Sequence, residues 1–170
     1  MRAGARANGA GVLGLDEAVA LVRALQAAGH RVVFTNGVFD LVHPGHVRYL
    51  QAARAEGDAL VVAVNSDRSV RANKGPSRPV IPERERAEIV AALDFVDAAF
   101  LFDEDTPGRV VEAIQPDVLV KGADWPADAI VGRDTVEGRG GRVVRAELAP
   151  GHSTTAILER IEAARQSGGR

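Results

Sequence analysis

The sequence predicts a single doubly wound, Rossmann-like α/β domain of about five parallel strands with helices on both faces, and three observations carry that expectation. Short β-like apolar runs alternate with helical stretches across residues 15–165, the pattern of parallel crossover units. The first run feeds directly into a turn and a proline-started helix, Gly37-Val38-Phe39-Asp40-Leu41-Val42-His43-Pro44-Gly45. The 170 residues, 46% of them hydrophobic, suffice for one buried core and are few for two.

Element by element, residues 1–14 mix Gly, Ala and Arg without apolar period and are expected to be flexible. Leu15, Val19, Val22 and Leu25 then recur at helical spacing, with Gly29 placed to stop the helix. Strands are expected at 31–35, 59–64, 96–102, 117–120 and 142–148. Helices are expected at 45–56, 82–93, 107–114, 127–138 and 153–164, with a polar tail at 166–170. The Gly-Pro-Ser-Arg-Pro stretch 75–79 reads as a loop inside the domain, not a boundary, because structure resumes at once, and residues 71–78 read as a loop carrying Arg71, Lys74 and Arg78.

Charge and composition narrow the function. Lys plus Arg number 21 against 23 Asp plus Glu, a net charge of 21 − 23 = −2, which gives no global field for gripping nucleic acid. There is no cysteine, which removes disulfides and thiolate metal sites. No signal peptide and no membrane-length apolar run is recognisable, so a cytoplasmic setting without a membrane partner is expected.

The chemistry is expected where the first strand ends, because open parallel sheets bind ligands beyond the carboxyl ends of their strands. Pro44 suits a first helical position, and Gly45 allows a close approach to the backbone. The helix start then offers free N–H groups and a positive dipole end to an anion, phosphate being the natural guest. His43 and His46, three residues apart, fall on one side of that helix start. Either imidazole can donate a hydrogen bond or carry charge beside a phosphate. A capping histidine plus a surface histidine is the plain alternative, and a zinc pair is a third, with no further His or Cys cluster to complete it.

The stretch from Gly37 to His46 resembles the G-x-F-D-x-x-H-x-G-H signature of the cytidylyltransferase-like nucleotidyltransferases. The resemblance runs from about Arg31 to Ile161, and within the superfamily it is nearest to the D-glycero-β-D-manno-heptose 1-phosphate adenylyltransferases. It is carried further by Ala63-Val64-Asn65-Ser66-Asp67, Lys74-Gly75, Arg78-Pro79-Val80, Asp103-Glu104-Asp105-Thr106-Pro107, Pro116 to Gly122 and Ser153-Thr154-Thr155. In many such proteins the domain is fused behind a sugar kinase, so a separate kinase is an expected pathway partner here.

The resemblance implies transfer of AMP from ATP to a sugar 1-phosphate, with Mg2+ accompanying the nucleotide and a homodimer as the expected assembly. It implies His43, His46 and Lys74 as catalytic residues. On the nucleotide side it implies Val38 and Phe39 through their main chain, Asp40, Gly45, Lys121, Gly122, Asp124, Ser153, Thr154 and Thr155. Asn65, Asp67, Arg78 and Arg86 are acceptor-side candidates. Plain readings stand beside several of these: turn chemistry for Asp40 and for Asn65-Ser66-Asp67, a solvated basic loop for Arg71, Lys74 and Arg78, and a surface salt bridge for Arg86. Ser153 serves equally as a helix N-cap, and Trp125 as a cover for the core edge. Related cytidylyltransferases carry an arginine ahead of the Ser-Thr pair, where this chain has Leu148-Ala149-Pro150-Gly151-His152, which counts against glycerol-phosphate cytidylyl transfer. Rival readings are the same chemistry on glycerol 3-phosphate, phosphopantetheine or a flavin phosphate, and a nucleotide-binding module without catalysis.

Overall fold

The computed structural model describes residues 12–147 and 151–167. The segments 1–11 and 168–170, expected to fray, and residue 148 of the expected last strand lie outside the described residues. Five parallel strands, β1 (Val32–Gly37), β2 (Ala59–Asn65), β3 (Ala98–Phe102), β4 (Val118–Gly122) and β5 (Arg142–Ala146), form one sheet in the order β3-β2-β1-β4-β5. The chain starts at the centre, winds outward through β2 and β3, and returns to add β4 and β5 on the other side. The direction of winding therefore reverses between β1 and β4, where a ligand crevice opens at the carboxyl ends of the strands.

Strand side chains alternate between faces, so Val33 joins one core layer while Val32 and Phe34 join the other. Helices α2 (Pro44–Arg54) and α4 (Glu83–Ala91) cover the first layer through Tyr49, Leu50, Ala53, Ala87 and Val90. Helices α1 (Leu15–Ala27), α5 (Gly108–Ile114) and α6 (Arg133–Glu137) cover the second through Ala18, Val22, Val110, Ile114 and Val136. Interior β2 is buried along all seven residues, as a strand covered on both faces must be. Truncating its fully buried Leu60 to alanine would cost about 2–5 kcal/mol.

Three acids pin the register at the edge away from the crevice. Asp58, Asp97 and Asp117 each stand one residue before a strand, and each accepts a neighbouring strand's amide at 2.8 Å, from Arg31, Leu60 and Val32 respectively. Leu13 extends the edge by donating its amide to the Ala99 carbonyl at 2.9 Å.

Two local expectations are corrected. Residues Asp67–Lys74 form a helix, α3, so Arg71 and Lys74 lie on a helix and not in a loop. Its only large apolar residue is Val70, which leaves no periodic stripe to read, and end effects hold the helix: Ser66 accepts the Ser69 amide as N-cap, with Asp67 in the first turn and Arg71 and Lys74 in the last. The helix expected over 127–138 is split into a 3₁₀ turn (Ala127–Ala129) and α6 by Gly132, at φ 92°. A Cβ there would lie 2.8 Å from Val111 Cγ1, so only glycine fits. Trp125 is half exposed after β4.

Candidate active site

The turn leaving β1 is held in an unusual backbone path. Phe39 and Leu41 have φ of 50° and 47°, in the left-handed region that side-chain-bearing residues seldom occupy. Gly37 is required because a Cβ would meet the Phe39 ring at 2.9 Å, and that ring is buried in the core layer. Between the two strained residues sits Asp40, 1% exposed. Its carboxylate accepts from Arg78 Nε and from the Val80 and Ile81 amides, each at 2.9 Å. Burial opposes its ionisation, but the two amides and the Arg78 guanidinium outweigh it and hold the carboxyl below its ordinary value. Asp40 thus latches residues 78–81 onto the β1–α2 turn.

The following helix opens as expected. His43 is the N-cap of α2, with Pro44 at the first helical position, and its Nδ1 accepts the Gly45 amide at 3.1 Å. The His43 and His46 rings stack at 3.9 Å between centroids, while Phe39 packs edge-on against His46 at 5.5 Å. Burial, then the charges of His43 and Lys74, push His46 down to about 4 against an opposing pull from Asp40. Burial and His152 likewise lower His43. Both imidazoles are therefore neutral near pH 7 when the crevice is empty, and they act as hydrogen-bond donors before they act as charges. His46 Nδ1 is buried without a partner. Gly45 is buried, and a side chain there would strike His152 Cβ and the His43 ring at 2.9 Å. The space beside this glycine is filled by the protein's own histidines.

The acceptor-side candidates are drawn into an internal network. Arg86, an acceptor-side candidate with a surface salt bridge as its plain alternative, is fully buried. Its guanidinium donates to the carbonyls of Ile81, Val38 and Asn65 and pairs with Asp67 Oδ1 at 2.8 Å. One side chain thus ties the ends of β1 and β2 to the start of α4. Asn65 Nδ2 donates to Ser69 Oγ, and Arg78 is committed to Asp40. Lys74, at the end of α3, is exposed and close enough to influence His46.

Across the winding reversal, Lys121 ends up 92% buried on β4. Its ammonium donates to the Asn36 side chain of β1. Among the described residues it pairs with no carboxylate, and burial pushes it down to about 8. Beneath it, Thr35, Tyr49 and the Val120 carbonyl form a buried hydrogen-bonded triangle that fixes α2 to β1 and β4. Gly122 is buried at the strand end, and Asp124 is exposed beyond it. Helix α7 (Thr154–Ser167) is capped by Ser153, whose Oγ accepts the Ala156 amide, and is tied to the site by Thr154 Oγ1 donating to the Asp40 carbonyl at 2.8 Å. Thr155 is exposed on its first turn.

The structure therefore gathers His43, His46, Lys74, Asp40 and the start of α7 around the first turn of α2. It places Lys121 at the β1–β4 crevice and commits Arg86, Asp67, Asn65 and Arg78 to ties behind the turn. Asn36 and His152 were missed by sequence reasoning. Asn36 carries no local signal, and His152 is adjacent to His43 only through the fold.

The family model described as cytidylyltransferase-like matches residues 34–160. A bifunctional protein HldE of Geotalea uraniireducens is 56% identical over 147 residues, 86% of this chain and 30% of that protein. A second, from Citrifermentans bemidjiense, is 51% identical over 158 residues, 93% of this chain and 32% of that protein. The chain thus spans about a third of the length of these curated relatives. A lipopolysaccharide core biosynthesis protein from Thermoplasma volcanium is similar in structure, with a TM-score of 0.59 at 31% identity over 71% of this chain and 98% of that one.

Proposed function

The chain belongs to the cytidylyltransferase-like family, and from that premise we propose that it is an adenylyltransferase joining AMP from ATP to D-glycero-β-D-manno-heptose 1-phosphate. The observation that carries this reading is the stacked pair His43 and His46 at the start of α2, on the carboxyl side of the sheet. An oxygen of the sugar 1-phosphate attacks the α-phosphorus of ATP. The bond from that phosphorus to the bridging oxygen of the β-phosphate breaks, its electron pair leaves with pyrophosphate, and ADP-heptose results. The nucleophile is already anionic, so no protein base is needed, and catalysis comes from alignment and from stabilising charge on phosphate oxygens.

His43 and His46 donate to those oxygens, the positive dipole end of α2 adds to them, and Lys74 brings a positive charge from the end of α3. The nucleotide lies against the backbone of Val38 and Phe39 and against Gly122, Asp124, Ser153, Thr154 and Thr155, with Lys121 supplying a cation; Gly45, expected on the nucleotide side, instead makes room for His43 and His152. Asp40, Asn65, Asp67, Arg78 and Arg86 act by holding the β1–α2 turn and its neighbours in place.

Among the described residues no three His, Asp or Glu side chains cluster to hold a metal ion. The groups facing the phosphates are imidazole and ammonium, poor ligands for Mg2+, which fits an ion carried on the triphosphate oxygens. There Mg2+ would neutralise charge on the leaving pyrophosphate. A sugar kinase, on the same or another chain, must supply the 1-phosphate. A cytoplasmic homodimer acting on these small molecules completes the reading, and no helix of the described residues is long and apolar enough to cross a membrane.

The test is pyrophosphate release with ATP or CTP against a panel of heptose 1-phosphate, glycerol 3-phosphate, phosphopantetheine and flavin mononucleotide. Turnover is expected with ATP and heptose 1-phosphate. Turnover with another acceptor alone would reject the sugar assignment, and ATP binding without turnover on any acceptor would favour a non-catalytic module.

A further inference from the structure

His152 precedes α7 and has no place in the signature around His43 and His46, yet its ring lies parallel to that of His43, at 6.4 Å between centroids and 22° between planes. His43 in turn stacks on His46 at 3.9 Å and 23°. Three imidazoles from two distant segments therefore form one row across the start of α2.

The row is built by packing. The backbone of residue 152 is pressed against the first turn of α2, because a Cβ on Gly45 would lie 2.9 Å from His152 Cβ. Two residues on, Thr154 Oγ1 anchors the same segment to the Asp40 carbonyl at 2.8 Å. His152 is thus held from both sides while its ring stays exposed.

The row also lacks a counter-charge. Among the described residues no carboxylate bonds to any of the three rings, and Asp40, the acid that acts on His46, has its oxygens filled by Arg78, Val80 and Ile81. Three adjacent imidazoles, each able to donate an N–H, at the positive end of a helix match an elongated anion better than a single phosphate. His46, half enclosed beside Phe39, marks the inner end and His152 the solvent end.

We propose that His152 is a ligand of the β- and γ-phosphates, so that the row reads the length of the triphosphate and steadies the departing pyrophosphate. This rests on the adenylyl-transfer reading of the site and adds a residue to it. As the α-phosphorus–oxygen bond breaks, the His152 N–H keeps its hydrogen bond to the pyrophosphate oxygens without transferring a proton. Its contribution belongs to ATP and to pyrophosphate, not to AMP.

Calorimetric titration of the full chain with Mg-ATP, AMP and Mg-pyrophosphate tests this, on wild type, His152→Ala and His152→Gln. His152→Ala is expected to weaken ATP and pyrophosphate about tenfold and to leave AMP unchanged, with His152→Gln recovering part of the loss through its amide donor. Unchanged ATP and pyrophosphate affinity in His152→Ala, or an equal loss for AMP, would overturn the role of His152 while leaving adenylyl transfer standing. A wild type that binds no ATP would overturn both. Thermal unfolding of the two variants should match wild type, since the ring is exposed.

Discussion

The Gly45 amide donates to His43 Nδ1 at 3.1 Å, and this bond decides which imidazole nitrogen faces a ligand. Nδ1 is an acceptor here, so the proton sits on Nε2. Protonating Nδ1 would break the cap and add positive charge at a helix start, which the dipole disfavours. The lowered affinity of His43 for a second proton, caused by burial and by His152, agrees with this. His43 is therefore a fixed-tautomer neutral donor that also caps its own helix.

These two roles separate by substitution. His43→Ala should lose the cap, about 1 kcal/mol, and also turnover, by about 10²–10³ for a missing transition-state donor. His43→Asp keeps a capping acceptor but supplies no donor, so it should recover stability while turnover stays low. Urea unfolding and kcat, measured side by side, check it, and a His43→Asp protein with restored turnover would contradict the donor role.

His46 should act on turnover more than on affinity. His46→Ala is expected to lower kcat by roughly 10²–10³ with a smaller change in ATP Kd, and an equal loss of both would argue for ground-state binding alone. Its pH signature follows from burial. The folded pKa lies near 4 against 6.5 in the unfolded chain, so between those values the unfolded state binds a proton that the folded state refuses. Stability thus falls as pH drops through that window, by at most about 3 kcal/mol. Replacing His46 with Asn should flatten that part of the unfolding profile.

Asp40 governs a lower window. Its folded carboxyl is held below the ordinary 3.8, so its stabilisation is present above that value and disappears as pH falls through the folded pKa. Asp40→Asn would set an amide NH2 among donors from Arg78, Val80 and Ile81. A loss on the order of 3–5 kcal/mol at pH 7 is expected, smaller at a pH below 3.8 as Asp40 takes up its proton. Urea unfolding at both pH values measures the difference.

How far the sequence disclosed this site depended on whether a residue's partners are local. The strands were legible because β2 is apolar up to its terminal Asn65 and β1 alternates between two core layers. The His43–His46 helix start was legible because cap, proline and glycine adjoin. Arg86 looked like a surface residue because it sits in the charged run Glu83-Arg84-Glu85-Arg86. Its burial depends on carbonyls from Val38 and Asn65, 48 and 21 residues away. The Arg78–Asp40 pair, 38 residues apart, and the His152–His43 stack were hidden for the same reason. Helix α3 escaped notice because polar end interactions, not an apolar stripe, define it.

Lys121 gives a prediction that runs against ordinary expectations for a buried charge. Removing one member of a buried ion pair strands the other, but among the described residues Lys121 has no carboxylate to strand and bonds to Asn36. Its ammonium is desolvated without repayment until an anion arrives. Lys121→Met fills the same volume without charge, so the variant should be at least as stable as wild type near pH 7, while its turnover and ATP affinity fall. The pH dependence has the matching sign. With a folded pKa near 8 and an unfolded one of 10.5, the unfolded chain holds more protons between those values. Wild-type stability at this residue therefore rises as pH climbs from about 8 to 10.5, and the Met variant lacks that rise. ATP should reverse the effect in wild type by favouring the charged form, shifting the Lys121 titration upward in NMR of the Nζ-adjacent methylene. A Met variant that is clearly less stable, or a titration that ATP leaves in place, would show that Lys121 is a structural lysine and not the floor of the phosphate site.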